Sequence, residues 1–266
     1  MSSNRSPGYG LIAVLLFVSL SSLGANKTAS WANSAGAADP SLQDLLKAQD
    51  DMTRGKSSRG QMRMHIKTAR WERSLTIKMW SQGTDKTLMR IVKPAREKGI
   101  STLKVGNSIW NYLPKIDRTI KVPASMMSGS WMGSHLSNDD LVQASRFSEN
   151  YDCKITHKPK NAGAGEHWLI SCTPHADAAV VWGRVELSMR ADNRLADSVK
   201  YFDEQGALVR SLLFSDFKQV GDHQMAMHMR VQPADKPQEF TEIIYDNIAF
   251  NVTLPARTFS RQALKR

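Results

Sequence analysis

His223, Met225, Met227 and Met229 alternate along the stretch HQMAMHMRV. In an extended strand that spacing puts all four side chains on one face. A row of thioethers beside an imidazole suits Cu(I), an ion that exported proteins meet. The same row suits a deformable apolar wall, because methionine is flexible and polarizable. The chain carries 13 methionines, spread along its length rather than clustered, and this favours the wall over the metal.

Cys153 and Cys172 are the two cysteines, and both fall in YDCKITHKPKNAGAGEHWLISC, which reads as strand, turn, strand. A turn centred between Ala162 and Gly163 sets the two thiols opposite each other, where antiparallel pairing holds Cβ atoms within ~5.5 Å. A zinc site from Cys153, His157, His167 and Cys172 is the rival. It conflicts with strand parity, since His167 and Cys172 would point to opposite faces. A Cys153–Cys172 disulfide in an oxidising compartment is therefore expected.

Ser134 and His135 are neighbours and lack the spacing of a nucleophile and its base, and no Gly-x-Ser-x-Gly elbow occurs. Asp139 and Asp140 could act as catalytic carboxylates, but Ser137 followed three residues later by Asp140 reads more simply as a capping box. No catalytic residue, metal or cofactor is expected, and the chain is not expected to be an enzyme.

Residues 1–37 read as a signal peptide and spacer: Arg5 precedes the apolar run LIAVLLFVSLSSLGA, too short for a membrane span, with cleavage after Ala25 or Ala37. No cysteine lies near either site, so an exported, periplasmic and non-lipidated protein is expected. Residues 38–266 are long enough for one well-cored domain. The formal net charge is +11, or +9 without Arg5 and Lys27. This scattered basic excess suits an anionic surface such as lipid headgroups, or simply a solvated face; nucleic acid is excluded by export and the lack of any binding motif.

The elements that would hold these side chains are mostly strands. DPSLQDLLKAQDDM signals a helix, with Asp39 as cap, Pro40 in the first turn and Leu42, Leu45, Leu46 and Met52 as one stripe. Alternation then takes over in QMRMHIK, SLTIKMW, KTLMRIV, GISTLKV, SIWNYL and RTIKV, and resumes in the cysteine hairpin, GRVELSMR, ADSVKYFD, LVRSLLFSDF, HQMAMHMRV and FTEIIYDNIAF. The expected fold is mainly β (α+β): a single large curled antiparallel sheet of about ten or eleven strands with covering helices. Between the sixth strand and the cysteine hairpin, SWMGSHLSNDDLVQASRF interrupts the alternation with Trp131, Met132 and Leu136. It lies where a lid over the sheet would cross. Trp80, Trp110, Tyr112, Trp168 and Trp182 fit either core or cavity wall.

GSWMGSHLSNDDLVQASRFSENYDCKI resembles the LolA-like family, the outer-membrane lipoprotein-sorting-type proteins. The segment KPAREKGISTLKVGNSIWNYLPKIDRTIKVPASMM and the ending NVTLPARTFSRQALKR are similar to that family too. The resemblance spans the chain after the signal segment and implies a half-barrel of about eleven strands capped by helices. It further implies a non-enzymatic carrier or binding protein for lipid or lipoprotein acyl chains, working beside an inner-membrane transporter or an outer-membrane acceptor. Leu136 stands where the family commonly has an aromatic, and the cysteine pair departs from its pattern. No residue is assigned the lid-locking arginine of classical LolA carriers.

Met62, Met64, Leu75, Ile77, Met79, Met89, Met126, Met127, Trp131, Met132, Leu136, Met225, Met227 and Met229 are expected to line the hollow and its lid. The alternatives are an accessory module that docks to a transporter without carrying lipid and, further off, a Met-rich copper-binding protein.

Overall fold

The computed structural model describes residues 39–52, 55–143, 147–163, 165–178 and 180–266. The signal-peptide reading of residues 1–37 lies outside them. The fold is that of the unit from Pro40 to Arg266.

Helix α1 (Leu42–Asp51) starts at Ser41, not at Asp39 as the sequence suggests. The Ser41 hydroxyl accepts from the Asp44 amide at 3.2 Å and the Asp44 carboxylate accepts from the Ser41 amide at 3.0 Å, a reciprocal capping box. Its stripe is as expected: Leu45, Leu46 and Met52 are buried.

Thirteen strands follow: β1 (Ser57–Lys67), β2 (Glu72–Gln82), β3 (Lys86–Lys93), β4 (Ser101–Val105), β5 (Ser108–Leu113), β6 (Arg118–Lys121), β7 (Tyr151–His157), β8 (His167–Pro174), β9 (Arg184–Arg190), β10 (Ala196–Phe202), β11 (Leu208–Val220), β12 (His223–Pro233) and β13 (Phe240–Phe250). Every alternating segment read from the sequence is a strand of its own, so the count exceeds the expected ten or eleven. All thirteen form one antiparallel sheet in the order β6-β5-β4-β3-β2-β1-β13-β12-β11-β10-β9-β8-β7. The edge strands β6 and β7 do not meet, so the sheet curls without closing.

Two meanders make up this order, β1 to β6 and β7 to β13, joined where β1 pairs with β13. Met64 lies opposite Leu75 on one side and Ile243 on the other. Opposite Gln61/Met62 the register skips Asp246, a bulge that bends β13. At Gly60 beside it a Cβ would stand 2.5 Å from the Asn247 carbonyl oxygen, so only glycine admits the partner backbone this closely.

Alternation assigns the faces. On the inner face, Met62, Met64, Ile66, Leu75, Ile77, Met89, Ile91, Val231 and Ile243 form the central core, and Trp131 and Leu136 cover it. Helix α1 lays Leu45 and Leu46 on a second core formed by β7 to β10, with Trp168, Ile170 and Leu187. On the outer face, Phe259 and Leu264 of the C-terminal turns pack on Leu88, Leu103 and Tyr112.

The cysteine hairpin folds as its sequence indicates. Cys153 lies opposite Cys172, the two form a disulfide, and the register slips only beyond Ile155. Because β6 and β7 are opposite edges, the chain between them must run from one edge of the sheet to the other. That connection carries α2 (Asn138–Gln143) and α3 (Phe147–Asn150). Among the described residues no helix is long and apolar enough to cross a membrane.

Candidate functional site: a covered apolar cavity

The connection from β6 to β7 opens with a miniature hairpin. Ser130 bridges Ser137, and the Trp131 amide donates to the Leu136 carbonyl at 2.7 Å. Its turn needs two successive left-handed residues, and Met132 (φ 52°) and Gly133 (φ 72°) take those positions. Ser137 and Asp140 then form the expected capping box: the Ser137 amide donates to Asp140 at 2.7 Å and the Asp140 amide to the Ser137 hydroxyl at 3.1 Å. The turn drives Trp131 into the sheet, where it is 1% exposed.

Four strands hold this segment down. The Trp131 indole N–H donates to Thr102 Oγ1 of β4 at 3.2 Å, and that hydroxyl donates onward to Asn111 Oδ1 of β5 at 2.7 Å. Arg73 of β2 donates to the Met132 carbonyl at 3.2 Å and pairs with Glu97. Thr241 Oγ1 of β13 accepts from the His135 amide at 3.0 Å, while His135 Nε2 meets Glu239 Oε2 at 3.2 Å. Arg210 of β11 grips Asp140 with two hydrogen bonds, 2.7 and 2.5 Å, and donates to the His135 carbonyl at 3.2 Å.

Between cover and sheet lies a cavity of about 250 Å³. Its wall is mostly apolar and aromatic: Met62, Met79 and Met89 from one meander, Leu212, Phe214 and Met229 from the other, and Trp131, Leu136 and Leu141 from the cover. Among its polar groups, Arg210, Asp140 and Tyr201 meet; the Arg210 guanidinium lies over the Tyr201 and Trp182 rings at 4.7 and 4.6 Å. Gln49 and Asp50 of α1, Ser81 of β2 and Thr87 of β3 also reach the wall.

Burial governs the ionisation here. It pushes the Tyr201 phenol up to about 12, and the Asp140 charge adds to this against the pull of Arg210. Burial also raises the Tyr151 phenol. For Arg210, burial works against the charge, but the hydrogen bonds and field of Asp140 prevail and hold its pKa above the usual value. The cavity thus presents neutral phenols and a compensated ion pair, a wall suited to apolar chains and lacking a free charge among these groups.

The residues singled out in the sequence fall into four places. Met62, Met79, Met89, Trp131, Leu136 and Met229 line the cavity. Met64, Leu75 and Ile77 are buried in the central core behind it, and Met132 packs against that core from the cover. Met225 and Met227 are placed away from the lining, because they are buried against Met52 and Leu195. Met126 is also outside it, 60% exposed, and Met127 is half-buried; the turn Ala124–Met126 precedes the hairpin and buries none of its residues. Of the tryptophans, Trp131 and Trp182 line the cavity, Trp80 and Trp110 pack under the C-terminal turns, and Trp168 lies in the second core. The alternating thioethers therefore divide between two clusters. Among the described residues no group of three His, Cys, Asp or Glu side chains could hold a metal.

Sequence reading missed Arg210, Tyr201, Phe147 and Tyr151. Arg210 left a signal: with Leu212 and Phe214 it shares one face of β11, a charge set in an apolar alternation. The α1 residues Gln49 and Asp50 left none, because they flank the stripe rather than break it.

A family model described as that of an uncharacterized protein matches residues 83–266. A DUF1329 family protein from Desulfovibrio piger superposes with a TM-score of 0.74 at 24% identity, covering 83% of this chain and 96% of the other. A structure named as an outer membrane lipoprotein-sorting protein domain, from Vibrio parahaemolyticus, gives 0.71 at 22% identity, covering 84% and 97%. A LolA superfamily protein from Nitrosomonas europaea gives 0.69 at 17% identity, covering 85% and 100%. The chain belongs to this uncharacterized family, and its fold is LolA-like. No curated protein matches it in sequence. The LolA-like fold accounts for the curled, unclosed sheet.

Proposed function

We propose that this LolA-like protein is a periplasmic, non-enzymatic carrier or binding protein for lipid or lipoprotein acyl chains, exported by a cleaved signal segment within residues 1–37. The observation that carries this reading is the apolar cavity of about 250 Å³ between the inner face of the sheet and its cover. An acyl chain moved there from water gains ~0.8 kcal/mol per buried CH₂. Ligand cavities commonly measure ~300–1,000 Å³, so a whole chain requires the cover to shift. Met62, Met79, Met89 and Met229 give a wall that can reshape around it. Met64, Leu75, Ile77 and Met132 back that wall and belong to the site in this sense, while Met126, Met127, Met225 and Met227 do not.

The test is native mass spectrometry and lipid extraction on protein purified from the periplasm. Bound acyl lipid, released on unfolding, is the expected result. Protein that is always empty and takes up no fluorescent acyl probe overturns the reading. Purified with a transporter subunit yet empty of lipid, the protein would instead fit the accessory-module alternative.

A further inference from the structure

Three of the most exposed large apolar side chains lie close together in sequence: Ile116 (59%), Ile120 (46%) and Met126 (60%). They occupy β6 and the turns on either side of it. β6 is an edge of the sheet, and all four of its residues are exposed. Lys115, Arg118 and Lys121 stand among them, also exposed.

Opposing charge is scarce here. From Lys98 to Asn138 the chain has a single carboxylate, Asp117. That carboxylate is already engaged, accepting from the Tyr112 hydroxyl at 3.0 Å and from Lys265 Nζ at 2.9 Å. The Lys265 contact also brings the basic C-terminal turn, Arg261–Lys265, to the same edge.

Lysines alone are a usual way to protect an edge strand from pairing with another chain. Bare aliphatic side chains beside them undo that protection. Exposed aliphatics interspersed along one edge strand and its turns with basic residues, with the local carboxylate neutralised, match an anionic bilayer surface: the apolar groups enter the interface and the cations, Lys121 from beside the Trp110 ring, meet the headgroups.

We propose that β6 and its flanking turns, residues 114–126, dock this protein on an anionic membrane surface, with Ile116, Ile120 and Met126 entering the interface and Lys115, Arg118 and Lys121 on the headgroups. This surface lies outside the cavity and goes beyond the carrier reading, so it operates whether or not an acyl chain is bound. Since β6 leads directly into the cover, docking places the start of the cover at the lipid.

Vesicle flotation of the full chain, lacking its signal segment, tests this. The protein should float with phosphatidylcholine vesicles containing phosphatidylglycerol, should not float with pure phosphatidylcholine, and should dissociate as salt is raised. Removing Lys115, Arg118 and Lys121 together by substitution with Gln should weaken binding on the order of a hundredfold, about fivefold per charge. The triple Ile116→Ser, Ile120→Ser and Met126→Ser should weaken it as well. A control triple at the opposite edge, Lys154→Gln, Lys158→Gln and Lys160→Gln, should bind nearly as wild type. The proposal is overturned if wild-type protein ignores the anionic vesicles, or if the control triple weakens binding as much as the β6 triple. The salt titration uses unaltered protein, and melting curves check that each variant folds.

Discussion

Arg210 on β11 and Asp140 on α2 meet through two charge-assisted hydrogen bonds, 2.7 and 2.5 Å, with both side chains largely withdrawn from water. Asp140 serves twice, as the partner of a buried cation and as half of the capping box that starts α2. One carboxylate thus ties helix initiation to attachment of the cover.

Asp140→Asn keeps the size of the side chain and strands the Arg210 charge. Breaking a buried pair from one side costs about 3–5 kcal/mol, whereas Ser137→Ala, which removes only the cap, costs about 1 kcal/mol. Urea unfolding of both variants measures the difference. Equal losses would show that the ion pair contributes nothing beyond the cap.

Glu239 anchors the cover from the other side. Hydrogen bonds from His135 and from the Ala69 amide hold its carboxyl below the usual glutamate range. A carboxylate with a lower pKa folded than unfolded stabilises the fold above its unfolded value and loses that contribution as pH falls through the folded one. Melting temperature should therefore drop on acidification below about pH 4.3. Glu239→Gln should melt lower at neutral pH and decline less steeply in acid. Asp117 and Asp246, also held low by hydrogen bonds, keep some slope in the variant.

The disulfide closes a short loop, with its cysteines 19 residues apart. In the chain-entropy account a loop of this length contributes about 3 kcal/mol. The double variant Cys153→Ala, Cys172→Ala should lose about that much in denaturant unfolding. The β7 edge should also exchange its amide hydrogens faster, readable by mass spectrometry after peptide digestion.

Met229 faces the cavity and is only partly buried. Met229→Trp should fill space meant for ligand and lower affinity for a fluorescent fatty-acid probe roughly tenfold, ~1.4 kcal/mol. Any overpacking cost should stay within ~1–3 kcal/mol of stability. Unchanged probe affinity in a folded variant would place the acyl chain elsewhere.

The strands were legible because a half-buried sheet writes its period into the chain. QMRMHIK and SLTIKMW name their inner faces correctly, and Met64 opposite Leu75 follows from that. The capping box at Ser137 and the cysteine register were legible for the same local reasons. Depth was not. Parity says that Met225 and Met229 share a face, but only the path of the cover decides that Met229 meets the cavity and Met225 the neighbouring core. Met126 and Met127 sit in a stretch with no period, so nothing marked them as lying outside. Arg210 pairs with a residue 70 positions away, a contact that no local pattern encodes.

The pairing of the first strand with the last has a kinetic consequence. Within each meander the strands are neighbours in sequence, and hairpin formation closes only short loops. The β1–β13 seam instead joins residues near opposite ends of the folded unit, such as Met64 and Ile243, and contacts so distant carry the largest loop-closure entropy. The two meanders can therefore assemble early and separately, while the seam sets the rate. Until it forms there is no continuous inner face for the cover to cross. Substitutions in the seam should slow refolding most, and the cavity should come into being only in the last step.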